Sequence, residues 1–166
     1  MARAATPAIA ALVAAGTAHR VLAYHHDMRT QSFGDEAVDA LAAAEGVSAA
    51  QILKTLVMAV PGGLAVAVLP VPDRLSLKAA AAALGVPKAT MADPVAAQRS
   101  TGYVVGGISP LGQRKALPTV VDRSALEWDR VLCSAGKRGL DIALAPRDLV
   151  ALTNAVTADI RAHGAQ

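Results

Sequence analysis

The run Leu53-Lys54-Thr55-Leu56-Val57-Met58-Ala59-Val60, followed by Pro61-Gly62-Gly63 and then Leu64-Ala65-Val66-Ala67-Val68-Leu69, decides the fold class of this chain. Two stretches rich in Leu and Val meet across a Pro-Gly-Gly turn, which is the composition and spacing of an antiparallel hairpin. A second hairpin is predicted from residues 131–133 and 140–144, which flank the tight segment Ser134-Ala135-Gly136-Lys137-Arg138-Gly139. Parallel strands need a long crossover between them, whereas hairpins do not. Two hairpins without regular strand-helix alternation therefore disfavour a doubly wound parallel sheet. They favour an α+β fold with a mixed, barrel-like β-sheet surrounded by helices.

Working outward, the remaining elements follow from their punctuation. The apolar stretch 4–16 could pass for the hydrophobic region of a signal sequence, but its signals are those of a folded helix. Thr6 is a good cap, Pro7 suits the first turn, Ile9, Leu12 and Val13 fall on one face, and Gly16 stops it. A strand is predicted over 21–24 and a helix over 35–45, ended by Gly46. Ser48 with Gln51 has the capping-box pattern. A helix over 76–84 ends at Gly85, and Asp93-Pro94 opens another helical turn. Residues 103–105 read as a buried strand stopping at Gly106-Gly107, and 119–121 as a further strand. From Pro146 onward, Leu149, Leu152, Val156 and Ile160 mark the inner face of a closing helix. Lys54, Pro61, Gly62 and Gly63 interrupt the most apolar region, so no membrane-spanning helix is expected.

Composition bounds the function. The chain has 166 residues, 54% apolar and 17% charged, enough for one domain over 1–166 with its own core, and this excludes intrinsic disorder. Alanine fills 39 positions, against four aromatic residues, Tyr24, Phe33, Tyr103 and Trp128. A reader of single-stranded nucleic acid that works by base stacking is disfavoured. The formal charge of +3 makes the surface only mildly attractive to polyanions. The single Cys133 cannot form an internal disulfide and no Cys or His spacing resembles a zinc site, so neither metal nor cofactor is expected and a cytoplasmic setting fits.

Three features carry possible chemistry. Lys54 begins an apolar strand, where an unpaired buried charge would cost several kcal/mol. Either its ammonium reaches water along the stem, or it stands at the lip of a cavity facing an anionic ligand or a carboxylate. The segment from Thr101 to Gly112 places paired glycines after 103–105; it is either a plain turn or a loop whose N–H groups bind a phosphate or an oxyanion. Its Gly107 to Gly112 spacing mimics a phosphate loop, but Gln113 and Arg114 stand where Lys and Ser or Thr are needed, which excludes a nucleotide triphosphatase. Asp141 alternates with Leu140 and Ile142, so it is either solvent-exposed or balances Lys54 or Lys137 across a cavity. No nucleophile elbow surrounds any serine, Cys133 reads as an inert core thiol, and His25 and His26 point to opposite faces of a strand.

An ordered set of segments carries a family resemblance. It comprises Thr6-Pro7-Ala8, Tyr24-His25-His26-Asp27, Lys54-Thr55-Leu56, Leu75-Ser76-Leu77-Lys78, Met91-Ala92-Asp93-Pro94, Gly106-Gly107-Ile108-Ser109-Pro110-Leu111-Gly112-Gln113, Leu117-Pro118-Thr119 and Gly136-Lys137-Arg138-Gly139-Leu140-Asp141. In this order the set resembles the YbaK family of bacterial aminoacyl-tRNA deacylases. The resemblance implies a fold shared with the editing domain of prolyl-tRNA synthetases and the hydrolysis of cysteine wrongly attached to the proline tRNA. It implies that Lys54 is the pocket lysine, that Gly106, Gly107, Ile108 and Ser109 form the loop facing the ester, and that Tyr24, Thr55 and Asp141 contact the substrate. Phosphate contacts to tRNA would fall to Lys78, Lys88, Arg114, Lys115, Lys137 and Arg138, with prolyl-tRNA synthetase as a partner and no membrane. Two other functions stay open: removal of another amino acid such as alanine, and non-catalytic binding of aminoacyl-tRNA.

Overall fold

The 53–69 segment folds as an antiparallel hairpin in the computed structural model, which describes residues 6–27, 29 and 32–163. In chain order the described residues form α1 (Pro7–Ala15), β1 (His19–Ala23), α2 (Phe33–Glu45), β2 (Leu53–Val60), β3 (Gly63–Pro70), α3 (Leu77–Leu84) and β4 (Thr90–Met91). There follow α4 (Pro94–Thr101), β5 (Thr119–Asp122), β6 (Val131–Lys137), β7 (Leu140–Leu144), α5 (Pro146–Thr153) and β8 (Val156–Ala158). Leu53 stands opposite Pro70 and Val60 opposite Gly63, so the Pro61-Gly62 corner sets the register. Val66, Ala67, Val68 and Leu69 have no exposed surface. Burying a Val or Leu side chain contributes about 1.5–3 kcal/mol, which makes β3 the centre of its sheet.

That sheet has five strands in the order β4-β2-β3-β5-β8, with β2 antiparallel to both neighbours and β3, β5 and β8 parallel. The second predicted hairpin also forms: β6 and β7 pair antiparallel with a bulge between Ser134 and Lys137, and β1 adds to β7 in a three-stranded sheet. A parallel bridge, Ile52 with Leu132, links the residue before β2 to β6, and the two sheets share one hydrophobic core. The class is the expected mixed α+β one, built from two open sheets rather than a closed barrel.

Helix ends obey the local chemistry. The Thr6 hydroxyl accepts from the Ile9 N–H, the Ser76 hydroxyl from Ala79 and the Asp93 carboxylate from Ala96, while Gly16, Gly46 and Gly85 close their helices in the left-handed region. Residues 4 and 5 of the apolar N-terminal stretch lie outside the described residues.

Three expectations are corrected. Val13 is exposed: α1 docks through Ala8 and Leu12, small and branched side chains that let it sit close on β6. Residues 103–105 are not a strand, because their polar groups are taken by side chains and turns. Thr101 Oγ1 accepts from the Tyr103 N–H, Gln98 Oε1 accepts from the Val105 N–H at 2.9 Å, and Tyr103 Oη donates to the Leu111 carbonyl at 2.6 Å. The closing helix stops at Thr153, where Asn154 turns left-handed at φ 52°. Val156 then pairs with Val120 as part of β8, so the apparent helical spacing of 149, 152, 156 and 160 crosses a strand.

Candidate active site

A cavity of about 320 Å³ opens where the two sheets meet. Lys54 and Thr55 reach it from β2, Asp141 from β7, Ser134 from β6, Tyr24 from just after β1, and Gly106 and Ile108 from the glycine loop. The rest of the wall is apolar, including Phe33, Val57, Val71, Met91 and Ala97.

Lys54 takes the cavity position rather than the solvent one. Its ammonium donates to the Asp73 carbonyl at 2.6 Å and the Val71 carbonyl at 3.3 Å, both in the chain just past β3. Burial lowers its pKa, an effect that Asp73 and Asp35 oppose. An ammonium has three donors, so one stays available for a ligand. The loop that supplies these carbonyls is itself tied down by the C-terminal segment. Arg74 accepts from the Ala162 N–H, Leu75 bridges to Arg161, and Ser76 donates to Ile160. Arg161 is in turn placed by the fully buried Asp122, 3.4 Å from its Nε.

Asp141 is neither exposed nor paired with Lys54 or Lys137. Only 4% of it is accessible, and its carboxylate receives no hydrogen bond among the described residues. Burial alone pushes its pKa up to about 7. Tyr24 beside it is kept neutral, its pKa pushed up to about 12 by burial and by the Asp141 charge. Thr55 Oγ1 is a second buried polar atom in the wall with no partner.

A carboxyl that titrates near 7 when folded, against an ordinary 3.8, holds an extra proton in the folded state throughout that window. Stability therefore falls as pH rises through it, and the full cost stands above it. Asp141→Asn is expected to melt higher than the parent protein at about pH 8, with the gap closing toward about pH 4 in thermal unfolding scans. A gap that did not change with pH would place the carboxylate in water.

The glycine loop is shaped by close approach. A Cβ on Gly106 would lie 2.7 Å from the Phe33 ring and 2.9 Å from Arg138 Nε, and one on Gly107 would lie 2.9 Å from the Arg138 backbone nitrogen. The Gly107 N–H is donated to the Val104 carbonyl, closing a turn, whereas those of Gly106 and Ile108 carry no such bond among the described residues. Ser109 is fully buried, with its hydroxyl accepting from the Leu111 N–H. Of the four loop residues singled out from sequence, Gly106 and Ile108 thus line the cavity while Gly107 and Ser109 brace it.

Arg138, read from sequence as a phosphate contact, turns inward. Its guanidinium donates to the Val105 carbonyl, 2.8 Å from Nε, and lies 4.5 Å over the Phe33 ring. It holds the loop against the wall, and Phe33, which sequence reasoning passed over, is its platform. That Phe33 is one of only four aromatic residues was the available signal. Lys78, Lys88, Arg114, Lys115 and Lys137 are exposed. The Lys137 backbone lies against Gly107, beside the cavity, and Arg114 and Lys115 donate their N–H groups to the last turn of α4.

No activated nucleophile stands among these groups. Cys133 is fully buried, with burial and the nearby Asp141 raising its pKa. The Ser134 hydroxyl accepts from the Gly136 N–H at 3.0 Å, and His26 is committed to Glu36 at 2.7 Å. Among the described residues no group of three or more His, Cys, Asp or Glu is arranged to hold a metal ion, and no helix is long and apolar enough to cross a membrane.

The family model for the aminoacyl-tRNA editing domain matches residues 35–152, which hold Lys54, the glycine loop and Asp141. The chain belongs to this editing family. Among curated proteins it is 38% identical over 123 residues to the Enterococcus faecalis protein named "Putative Cys-tRNA(Pro)/Cys-tRNA(Cys) deacylase EbsC", covering 74% of this chain and 75% of that one. A solved structure described as "a putative trans-editing enzyme for prolyl tRNA synthetase" superposes with a TM-score of 0.83 at 28% identity, covering 98% of this chain and 99% of that one. Another, described as hypothetical protein APE2540, gives 0.80 at 30% identity over 95% and 100%. The protein is an aminoacyl-tRNA deacylase acting on mischarged tRNA.

Proposed function

We propose that this editing-family protein hydrolyses cysteinyl-tRNA(Pro), and that the substrate's own thiol makes the attack. The observation that carries this reading is one apolar cavity holding a cation, a buried unpaired carboxylate and two free backbone N–H groups, with no activated nucleophile. An aminoacyl ester is already activated, so positioning and oxyanion stabilisation supply the catalysis. The Lys54 ammonium and the hydroxyls of Tyr24 and Thr55 hold the terminal ribose, and Asp141 takes the α-ammonium group. The N–H groups of Gly106 and Ile108 receive the oxyanion, with Gly107 and Ser109 setting their direction.

In the first step the thiolate sulfur bonds to the ester carbonyl carbon. The bond from that carbon to the ribose oxygen then breaks, and the ribose leaves as a hydroxyl after taking a proton. Water opens the resulting four-membered thiolactone to free cysteine. Exposed Lys78, Lys88, Arg114, Lys115 and Lys137 contact phosphates with little sequence readout, so choice of the proline tRNA comes from prolyl-tRNA synthetase acting alongside. A relative's name as Cys-tRNA deacylase supports the cysteinyl choice, and the neighbour described as trans-editing for that synthetase supports the partnership. The test is a panel of tRNA(Pro) charged with cysteine, alanine or proline, followed by amino-acid release. Cysteine is expected to be released fastest; faster release of alanine, or none from any ester, overturns the assignment.

A further inference from the structure

We propose that the cavity accepts only esters with a free α-ammonium group and turns away N-blocked ones, the class that includes peptidyl-tRNA, because the buried Asp141 carboxylate lines it. This rests on the placement of the ester in the cavity argued above. Asp141 lies on β7, the central strand of its sheet, with Leu22 and Ser134 opposite it in register. On the same face of the sheet Leu22, Leu132 and Ala143 are buried, so the carboxylate is flanked by apolar side chains. Lys54 does not neutralise it, since that ammonium is engaged with the Val71 and Asp73 carbonyls and feels the charges of Asp73 and Asp35 instead. The neighbouring titratable groups, Tyr24 and Cys133, are held neutral and bring no positive charge.

In its ionised form the buried carboxyl accepts hydrogen bonds only, and leaving it without donors is costly. An α-ammonium group brings three donors and the opposite charge. An acylated nitrogen brings one donor, no charge and a further carbonyl that an ionised carboxylate cannot pair with. The chemistry of the carboxylate thus rejects the blocked ester. The consequence is selectivity between two kinds of charged tRNA that share the same phosphates and the same terminal ribose: the mischarged one is cut, while one bearing a growing chain is left alone.

The test compares cysteinyl-tRNA(Pro) with N-acetylcysteinyl-tRNA(Pro), which keeps the thiol. Each enzymatic rate is divided by the spontaneous hydrolysis rate of the same ester in the same buffer, which removes the lower intrinsic reactivity of the blocked ester. The rate enhancement is expected to be at least about thirtyfold smaller for the N-acetyl ester. Asp141→Asn should lose activity on the free-amine ester alone, so that the two enhancements converge. Equal enhancements in the parent protein, or undiminished discrimination in Asp141→Asn, overturn the inference while leaving cysteinyl deacylation standing. Failure to cleave either ester sinks the underlying reading instead. The comparison in the parent protein decides the matter even where the variant does not fold.

Discussion

Lys54→Ala is expected to lower kcat/KM for cysteinyl ester cleavage about a hundred- to a thousandfold, the scale on which a single preorganised transition-state donor acts. The side chain is held in place before any ligand arrives, by the carbonyls of Val71 and Asp73, so little reorganisation is needed when the ester binds. The loop providing those carbonyls is fastened at Arg74, Leu75 and Ser76 to the C-terminal segment. The fold should survive the substitution. Two carbonyls lose a donor, at a cost of about 1 kcal/mol, and a domain of this size then melts about 2–4 °C lower. Turnover near the parent's in a variant with that small melting shift would leave Lys54 as a structural strap for the loop.

Replacing the substrate cysteine with S-methylcysteine should bring enzymatic hydrolysis down to the spontaneous rate. A thiol of ordinary pKa near 8.5 supplies a few per cent of thiolate at neutral pH, and methylation removes it while keeping the sulfur and most of the shape. Binding is expected to persist, since the amino group, ribose and phosphates are unchanged; competition against cysteinyl-tRNA measures it. The argument is strengthened by what the cavity lacks. The buried hydroxyl of Thr55 has no hydrogen-bond partner among the described residues, and that of Ser134 is bonded to the Gly136 backbone. Cleavage of the methylated ester at a rate within a few-fold of the free thiol's would mean that a bound water is the nucleophile.

What could be read in advance follows a physical division. The two hairpins were legible because their information is local: Leu and Val runs, with Pro-Gly-Gly or a glycine-rich segment between them. Lys54 stood out for the same reason, as a charge in an apolar run. Asp141 was noticed, but its burial was not, since strand alternation tells the two faces apart only when one of them meets water. On β7 both faces are covered, and Asp141 through Leu144 are all buried. Residues 103–105 have strand composition, yet the side chains of Thr101 and Gln98 take the Tyr103 and Val105 N–H groups that a ladder would need. Arg138 looked like a surface charge because its partners, Phe33 and the Val105 carbonyl, are distant in sequence. Long-range pairing of this kind leaves no periodic trace.

Placing the two charges on different sheets makes the packing between those sheets, of which the Ile52–Leu132 bridge is one part, the setter of their separation. Lys54 is carried by the five-stranded sheet and Asp141 by the three-stranded one, and a shared core that includes Leu53, Val57, Val131 and Ile142 fixes the gap between ammonium and carboxylate. Evolution can then retune which ester fits without altering any residue that touches it. A change of bulk at the fully buried Leu132, which packs with Ile52, would shift that separation while the chemistry stays in place. An ester held as proposed, by Lys54 and Asp141 at once, would tie the two sheets to each other as well as to itself.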